Sequence, residues 1–520
     1  KDLLIFNGEI YNYNELLLNC RSDTQLLFNL LKNDDLNCLN KLKGMFAFVH
    51  WNKKKNKLTF GRDYWGKKPL YYNETKNSIF FSSSIKALSL KLKDKALSEN
   101  YLKSYFTYGY SINGGSPFEL IKESPSGNLY FPIENKLIKI NPVFKNNSYK
   151  NLSKNETIME CKRIMEANID RKTHSKSSLY LSEGLDSSVI KKIMKIKKKE
   201  FKSFTLKFED HFYNEDANIG KNENHENILI SKENFLNAAN ESMGLDGNLH
   251  ANPANIGFYL LSQKSKNYSP VALTGGGGDE VFFGYPTWKA DFYSKYTNIL
   301  SNNNKDLITK VLNLFPSSLN THNKIYALKK ILSLEQKDFN QRHFYWRTLQ
   351  SRSANKKVFK DLGYGLDLYK KINDDSIVSL GLLDLNTWWK NMGLKQADMF
   401  GMINSVEVRS AFCDEDLLNF SYSINIENHK PFSTKSLLKE VASSLGIDTT
   451  DSKKKPFSVP LNHIYSKKNF FNITEDFNYN FNNLNIDFDL DLANNFINKN
   501  FYDNLFFIHT LNNFNIWVKK

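Results

Sequence analysis

Two glycine-containing turns constrain this chain most, because each lies between a strand-like run and a helix-like run. Residues 182–188, S-E-G-L-D-S-S, follow the strand-like run 178–181. Residues 274–280, T-G-G-G-G-D-E, follow the strand-like run 270–273. Strands that alternate with helices predict an α/β fold with a parallel, doubly wound sheet, whose ligands bind at the strand carboxyl ends. We therefore expect both turns to lie at one edge of one sheet.

The first turn carries the residue types of an anion site. Hydroxyls and backbone N–H groups at a helix N-terminus bind phosphate oxygens. Asp186 would repel phosphate alone, so it makes most sense as a ligand of a bridging magnesium ion. An ordinary strand–turn–helix connection with Asp186 as a helix cap explains the same residues equally well. This turn alone therefore leaves both interpretations open.

The second turn favours the ligand-binding interpretation. Four successive glycines, residues 275–278, let the backbone approach a ligand very closely. Asp279 offers a second magnesium ligand beside Asp186. A flexible loop is the alternative, but a glycine run that follows a strand and ends in Asp-Glu favours a site for ATP-type phosphates and Mg²⁺.

Together these turns resemble the asparagine synthetase family, whose ATP-pyrophosphatase domain carries S-G-G-x-D-S-S and S-G-x-G-G-D-E-x-F-x-G-Y. Asp398, Met402 and residues 406–414 match the family's D-x-x-x-M and E-x-R-x-P-F-L-D elements. Residues 434–439 and 454–457 resemble its K-x-x-L-R and K-x-G-F segments. The order of the motifs along the chain is that of the family.

The resemblance implies that this part of the chain adenylates a carboxylate with ATP and releases pyrophosphate, after which ammonia attacks the acyl-adenylate. Asp186 and Asp279 would hold Mg²⁺, and Lys435 and Lys454 would neutralise charge in the transition state. The alternative for both lysines is an ordinary surface position in a lysine-rich chain. The other positions implied to bind ATP or pyrophosphate are Leu181, Ser182, Gly184, Ser187, Ser188, Leu206, Thr274 and Gly275.

The N-terminal part has short strand-like runs with helical patterns between them, which predicts a mixed α/β domain with a largely antiparallel sheet. Residues 7–12, N-G-E-I-Y-N, and Ser22-Asp23 match the glutamine site of class II amidotransferases. The resemblance implies an Ntn-type αββα sandwich in which the Asn7 side chain and the Gly8 N–H form an oxyanion hole. It also implies that Glu9 and Asp23 bind the ammonium group of glutamine. Without the family, Asn7-Gly8 is simply a turn.

The expected nucleophile of such a domain is absent. It is an N-terminal cysteine in this family, whereas the chain begins at Lys1 inside a strand-like run and Cys20 is not in a matching position. The arginine that holds the glutamine carboxylate should also lie upstream. We therefore expect an incomplete N-terminus and no glutamine hydrolysis by the chain as it stands.

The patterns divide the chain into three parts. We expect an incomplete amidotransferase domain over residues 1–142, a polar linker over 143–154 and an ATP-pyrophosphatase domain over 155–520, largely helical after about residue 285. The Asn- and Phe-rich tail has no assigned role.

Two departures from the family pattern affect the expected substrate. Glu183 replaces the second residue of S-G-G, and Gly276 stands where asparagine synthetases carry a glutamate tied to forming aspartyl-adenylate. Ala411, Cys413 and Pro456 are expected to be tolerable framework changes. Aspartate is the first expectation for the acceptor, a sugar or peptide carboxylate the second, and a non-catalytic relative the third.

Composition excludes other classes of function. The net charge of +16 could indicate nucleic acid, but the lysines are dispersed and no nucleic-acid module is recognisable. No apolar run of membrane-spanning length is present. The four cysteines (Cys20, Cys38, Cys161 and Cys413) form no C-x-x-C pair, which fits a reducing cytoplasm. We expect small-molecule partners only (glutamine or ammonia, ATP, aspartate) and, from the family, a homodimer.

Overall fold

The structure is a computed structural model of the 520-residue chain. It describes residues 2–16, 20–140, 149–209, 224–285, 287–288, 343–349, 377–424, 434–449, 459–466, 472–477 and 504–520, with a few single positions between them.

The N-terminal part is built on two antiparallel sheets. The larger one has the order β1-β2-β3-β7-β8 and the smaller one the order β5-β4-β6. Their strands are β1 (Leu3–Ile10), β2 (Gly44–Asn52), β3 (Lys57–Arg62), β4 (Tyr71–Glu74), β5 (Ile79–Ser82), β6 (Lys122–Glu123), β7 (Asn128–Phe131) and β8 (Lys136–Lys139). The helices of this part are α1 (Tyr13–Leu16), α2 (Asp23–Lys32), α3 (Leu36–Leu39), α4 (Ile85–Ser89) and α5 (Glu99–Tyr108).

These elements stack as four layers. Leu26 and Leu30 of α2 pack against Phe46 and Phe48 on one face of the larger sheet. On the opposite face, Ala47 and Val49 of β2 and Phe60 of β3 meet Leu70 and Tyr72 of the smaller sheet. The far side of the smaller sheet is covered by α4, through Ile85 and Leu88. The expected αββα sandwich is confirmed, since alternate residues of β2 enter different layers.

The C-terminal part contains a five-stranded sheet whose strands are all parallel, with the order β11-β10-β9-β12-β13. Its strands are β9 (Lys176–Tyr180), β10 (Glu200–Phe208), β11 (His225–Ile230), β12 (Val271–Thr274) and β13 (Glu407–Ser410). The chain proceeds outward from β9 in one direction and then from β12 in the other. The switch point between β9 and β12 is where a doubly wound sheet opens a crevice for ligands.

Helices lie on both faces of this sheet. They are α6 (Lys154–Lys172), α7 (Leu185–Ile196), α8 (Lys232–Ser242), α9 (Ala254–Ser265), α10 (Gly278–Val281), α11 (Ile377–Asp384), a π-helix (Leu385–Gly393), α12 (Leu394–Met402), α13 (Glu415–Ser423), α14 (Ser436–Ser444), α15 (Leu461–Ile464) and α16 (Leu505–Val518). A capping box fixes the start of α6, because the Ser153 side chain and Glu156 cap one another's backbone N–H groups.

Burial on both faces explains the apolar strands. Leu179 of β9 and Leu273 of β12 belong to one core cluster, while their neighbours Tyr180 and Ala272 belong to the cluster on the opposite face. Side chains alternate along a strand, so both faces of a parallel sheet must be apolar. This is why continuous apolar runs predicted these two strands.

The sequence patterns predicted most of this architecture. The strands expected at 178–181 and 270–273 are β9 and β12 to within two residues at either end. Strands β11 and β13 had no predicted counterpart. No helix in the described ranges is long and apolar enough to cross a membrane.

Candidate functional site

The two glycine-containing turns meet at the switch point. A Cβ atom built on Gly278 would lie 2.7 Å from Cγ of Asp186, and one on Gly275 would lie 2.8 Å from Cβ of Asp186. Only glycine leaves room for so close an approach between α7 and the second turn. The sequence therefore places the Asp186 carboxylate directly against the glycine run, as expected from strand-end geometry.

Lys435 joins the two carboxylates predicted to hold a metal. Its Nζ atom donates to Oδ1 and Oδ2 of Asp186 at 2.7 and 2.5 Å and lies 2.8 Å from Oδ1 of Asp279. Burial alone would lower the pKa of Lys435, but the two carboxylates outweigh it and hold that pKa above its usual value. The ammonium group is thus charged at the centre of the switch point.

Serine hydroxyls close the start of α7. The Ser187 hydroxyl donates to the Ser182 carbonyl at 2.8 Å and accepts from the Ser182 N–H at 3.1 Å. The Gly184 N–H donates to the Ser182 hydroxyl at 3.2 Å. The predicted residues Ser182, Gly184 and Ser187 therefore form one compact turn at the positive end of the α7 dipole.

A cavity of about 410 Å³ opens beside this turn. Three lysines of α7 lie on its wall, and burial and the neighbouring Lys195 lower the pKa of Lys191. The described residues that line the cavity are Leu181, Ser182, Glu183, Ser188, Lys191, Lys192, Lys195 and Ile447. The lysines were not predicted as site residues, although their spacing along α7 puts them on one face. Their charge offsets that of Glu183 at the entrance.

The two remaining predicted ATP positions lie apart from this cavity. Leu206 of β10 is buried in the core cluster on the opposite face of the sheet from Leu181. Thr274 ends β12, and its carbonyl accepts from the Ala411 N–H at 3.0 Å. The structure thus brings together the residues expected to bind pyrophosphate. The positions expected to bind adenosine lie apart from them, along the strand ends. Lys454 lies outside the described residues.

The space beside Gly276 is filled by an indole ring. A Cβ atom on Gly276 would lie 2.8 Å from Cη2 of Trp389 and 3.1 Å from Oγ of Ser410. The Trp389 N–H donates to Sγ of Cys413 at 3.0 Å, which fixes the ring. A glutamate could not stand at position 276 without displacing Trp389, so the glycine and the tryptophan form one matched pair.

The expected glutamine residues lie together at the end of β1. Gly8 has φ of +126°, and a Cβ atom there would lie 1.9 Å from the Met45 carbonyl oxygen. Asn7 is exposed and faces a cavity of about 510 Å³. Asp23 accepts from the Ile10 N–H at 3.1 Å and from the Thr24 N–H at 2.6 Å. Asp23 is thereby held next to Gly8 and Glu9.

Glu9 is bound across the domain interface. Its carboxylate pairs with Arg409 of β13. The Arg409 guanidinium also donates to Glu407 at 2.8 Å and to the Lys172 carbonyl at 2.9 Å. That Glu9 holds the ammonium group of glutamine stays a prediction. In the structure, the partner of Glu9 is the Arg409 guanidinium from the other domain.

Two buried lysines extend this interface. Lys68 Nζ lies 2.7 Å from Oδ1 of Asp398, and Lys67 Nζ donates to the Cys413 carbonyl at 3.1 Å. Their contacts and the Glu9–Arg409 pair together make up what we call the domain seam. Sequence reasoning missed the seam, because lysines in a K-K-P-L run give no sign of their distant carboxylates.

The donor set at the switch point fits a magnesium ion. Mg²⁺ usually takes one or two carboxylates and completes its coordination with substrate phosphates and water. Asp186 and Asp279 share one ammonium group, so their oxygens are close enough to act on a single phosphate chain. Within the described part of the chain no cluster of three or more His, Cys, Asp or Glu side chains forms a complete protein cage.

Comparison with known proteins assigns both parts of the chain. The family described as asparagine synthase matches residues 164–478, and the family described as glutamine amidotransferase domain matches residues 1–142.

Individual relatives agree with this. Asparagine synthetase [glutamine-hydrolyzing] 1 of Bacillus subtilis is 27% identical over 490 residues, covering 88% of this chain and 76% of that protein. A putative asparagine synthetase of Methanocaldococcus jannaschii is 26% identical over 69% of this chain and 72% of that protein. A solved glutamine phosphoribosylpyrophosphate amidotransferase of B. subtilis is 13% identical, covers 39% of this chain and 45% of that chain, and has a TM-score of 0.20, which is too low to carry an argument.

Proposed function

Since the chain belongs to the asparagine synthase family, we propose that it is an ATP-dependent carbon–nitrogen ligase that uses glutamine or ammonia to convert a carboxylate into an amide, with aspartate as the first candidate acceptor. AMP and pyrophosphate are the proposed by-products and asparagine is the proposed product. We also propose the division into residues 1–142, 143–154 and 155–520, a cytoplasmic location and a homodimer.

One observation carries the proposal. Asp186, Asp279 and Lys435 come from three separate segments and converge at the switch point of a parallel sheet. Two carboxylates around one ammonium group leave one negative charge over, which suits a polyphosphate ligand that brings its own cation. The serine turn at the start of α7 lies beside them and suits pyrophosphate oxygens.

The chemistry follows from this arrangement. A carboxylate oxygen of the acceptor attacks the α-phosphorus of ATP, and the bond to the pyrophosphate oxygen breaks. Lys435, the α7 N-terminus and the lysines of the neighbouring cavity stabilise the charge that develops on pyrophosphate. Ammonia then attacks the acyl carbon, the bond to AMP breaks, and a proton leaves the nitrogen.

Magnesium would be held by Asp186 and Asp279 and would supply charge neutralisation on the leaving pyrophosphate. Lys435 keeps these two carboxylates oriented toward the glycine run. Gly275 and Gly278 allow the backbone to approach them.

The N-terminal domain is proposed to bind glutamine, and to supply ammonia from it only together with the N-terminal cysteine expected upstream of this segment. Asn7 and the Gly8 N–H suit the oxyanion of an amide tetrahedral intermediate, and Asp23 is already held beside them. The domain seam connects this region to β13 and so to the edge strand of the synthetase sheet.

A second acceptor class is favoured by Gly276. Trp389 fills the space where a glutamate would stand, which makes this part of the site apolar and uncharged. A carboxylate without an ammonium group, carried by a sugar or a peptide, is therefore the alternative acceptor.

The test measures pyrophosphate release from ATP, magnesium and ammonium, with and without aspartate. Ammonium bypasses the glutamine site, so the assay addresses the synthetase site alone. Release that depends on aspartate, with asparagine detected by mass spectrometry, supports the proposal in full.

Release that depends on a sugar or peptide carboxylate, and not on aspartate, supports the ligase and replaces its acceptor. Folded protein that neither binds ATP with magnesium nor releases pyrophosphate with any carboxylate contradicts the proposed function.

A further inference from the structure

One further cavity belongs to neither site discussed above. It has a volume of about 880 Å³ and lies between the amidotransferase domain and the π-helix (Leu385–Gly393). This is within the range of pockets that hold small organic ligands. Its described walls come from the β3–β4 connection, the segment around residues 112–115, β6 and β7, and the π-helix.

A cation without a carboxylate partner lies in this cavity. Lys390 Nζ stands 4.4 Å from the centre of the Tyr64 ring, and no carboxylate within the described part of the chain is in ion-pairing distance of it. Burial lowers the pKa of Lys390 to about 8, and Arg62 and Lys139 add to that effect, whereas Asp63 opposes it. The side chain therefore stays largely charged at neutral pH and has no carboxylate partner among the described residues.

The other charged groups of the wall do not supply one. Arg62 and Glu123 neutralise each other at 2.7 Å, and Glu123 is also paired with Lys395 at 2.7 Å. The Asp63 carboxylate accepts from backbone N–H groups of Phe46 and Lys67. Lys139 is exposed on β8 and adds a second positive charge at the rim. The cavity is thus positive after internal pairing.

Two buried polar groups among the lining residues have no hydrogen-bond partner in the described part of the chain. They are the indole N–H of Trp65 and the hydroxyl of Ser124, both almost fully buried. Unpaired buried donors are rare because each loses its bonds to water. Amide and hydroxyl side chains share the rest of the wall with glycine, proline and aliphatic residues, and the polar ones are Asn113, Ser126, Asn128, Asn386, Thr387 and Asn391.

We propose that this cavity binds a small, hydroxyl-rich organic anion, a sugar that carries one phosphate or one carboxylate. Lys390 pairs with the anionic group, the amide and hydroxyl side chains bind the sugar hydroxyls, and the half-buried Tyr64 ring provides aromatic surface. Inorganic phosphate alone is too small to meet these groups across a cavity of this volume.

The π-helix explains how the site is separated from the nucleotide region. Its wide turn, in which the Leu394 N–H bonds to the Trp389 carbonyl, directs Trp389 toward Gly276 while Lys390 faces the cavity. Such turns are frequent at functional sites. The ligand therefore occupies a position distinct from that of ATP.

The test is calorimetric titration of the full chain, saturated with ATP and magnesium, using glucose 6-phosphate and gluconate. Glucose, which lacks the anionic group, and inorganic phosphate, which lacks the sugar, serve as control probes. We expect at least one of the two sugar anions to bind at one site per chain, at least tenfold more tightly than glucose or phosphate.

Variants locate the binding. Lys390→Met should weaken it at least tenfold, and Asn386→Trp, which fills the cavity from an exposed position, should abolish it. Lys264→Met, an exposed lysine on α9, should leave it unchanged. Thermal unfolding checks that each variant is folded. No binding of either sugar anion to the chain saturated with ATP, or binding that both cavity variants leave intact, would overturn the proposal.

Discussion

The switch-point site and the proposed glutamine site differ in where their charges come from. At the switch point, Asp186, Asp279 and Lys435 all belong to the synthetase part and satisfy one another. At the glutamine site, Glu9 is paired with Arg409 from the other domain, and Asn7 is exposed to a cavity. The described charges of the first site therefore all come from one part of the chain, while those of the second come from both parts.

Because of this difference, we expect substitutions in the two regions to impair the two proposed activities separately. Changes within the switch point should remove catalysis and leave the docking of the domains intact. Changes in the domain seam should disturb the N-terminal part first, since its edge strand β1 is held there by the Glu9–Arg409 pair.

The largest effect is expected from Lys435→Met. The substitution removes the cation that faces pyrophosphate and leaves two carboxylates in mutual repulsion, so ammonium-dependent turnover should fall by about 10²–10³-fold. Pyrophosphate release measures it, with Lys264→Met as the matched control. Unchanged turnover in Lys435→Met would mean that the switch point is structural.

Gly8→Ala should act on the other site through sterics. A Cβ atom there would lie 1.9 Å from the Met45 carbonyl oxygen at a positive φ, so the N-terminal sheet should lose about 3 kcal/mol of stability. Gly115→Ala is the control, since its φ is also positive but nothing lies within 4 Å of its Cβ position; we expect a loss of about 1 kcal/mol. Urea unfolding measures both.

Ammonium-dependent turnover of folded Gly8→Ala should match that of the wild type. Equal loss of turnover in Gly8→Ala and Lys435→Met would show that the two sites do not act independently.

Arg409→Met should have the smallest of the three effects. It removes the partner of Glu9 and Glu407, and because Glu9 is 41% exposed we expect a loss of about 1–3 kcal/mol. Calorimetry should resolve separate transitions for the two domains in this variant. A double-mutant cycle with Glu9→Gln isolates the pair, and a coupling of zero would place the seam's stability in Lys67 and Lys68 instead.

The prediction of the switch point rested on a local sequence pattern, the strand-like runs followed by glycine-containing turns. Leu179 and Leu273 end up in one core cluster because both strands are buried on two faces, and the turns that follow them had to meet. The pairing of Asp186 with the second turn could therefore be inferred from strand order alone.

Features built from distant or charged segments could not be predicted. β13 has only four residues, and the alternation of Val408 with Glu407 and Arg409, which serve the domain seam, is too short to identify a strand. Trp389 gave no sign that it fills the space at Gly276, since the two are far apart in sequence and meet only after the π-helix packs.

The bond between Glu9 and Arg409 joins residues 400 positions apart. During synthesis on a ribosome, β1 emerges long before β13 and must wait until the segment carrying β13 has left the exit tunnel before it gains this partner. Contacts of such long sequence separation slow folding because the intervening chain loses entropy when they form. The N-terminal sheet should consequently form early with an open edge, and its attachment to the synthetase sheet should be among the last events in biogenesis.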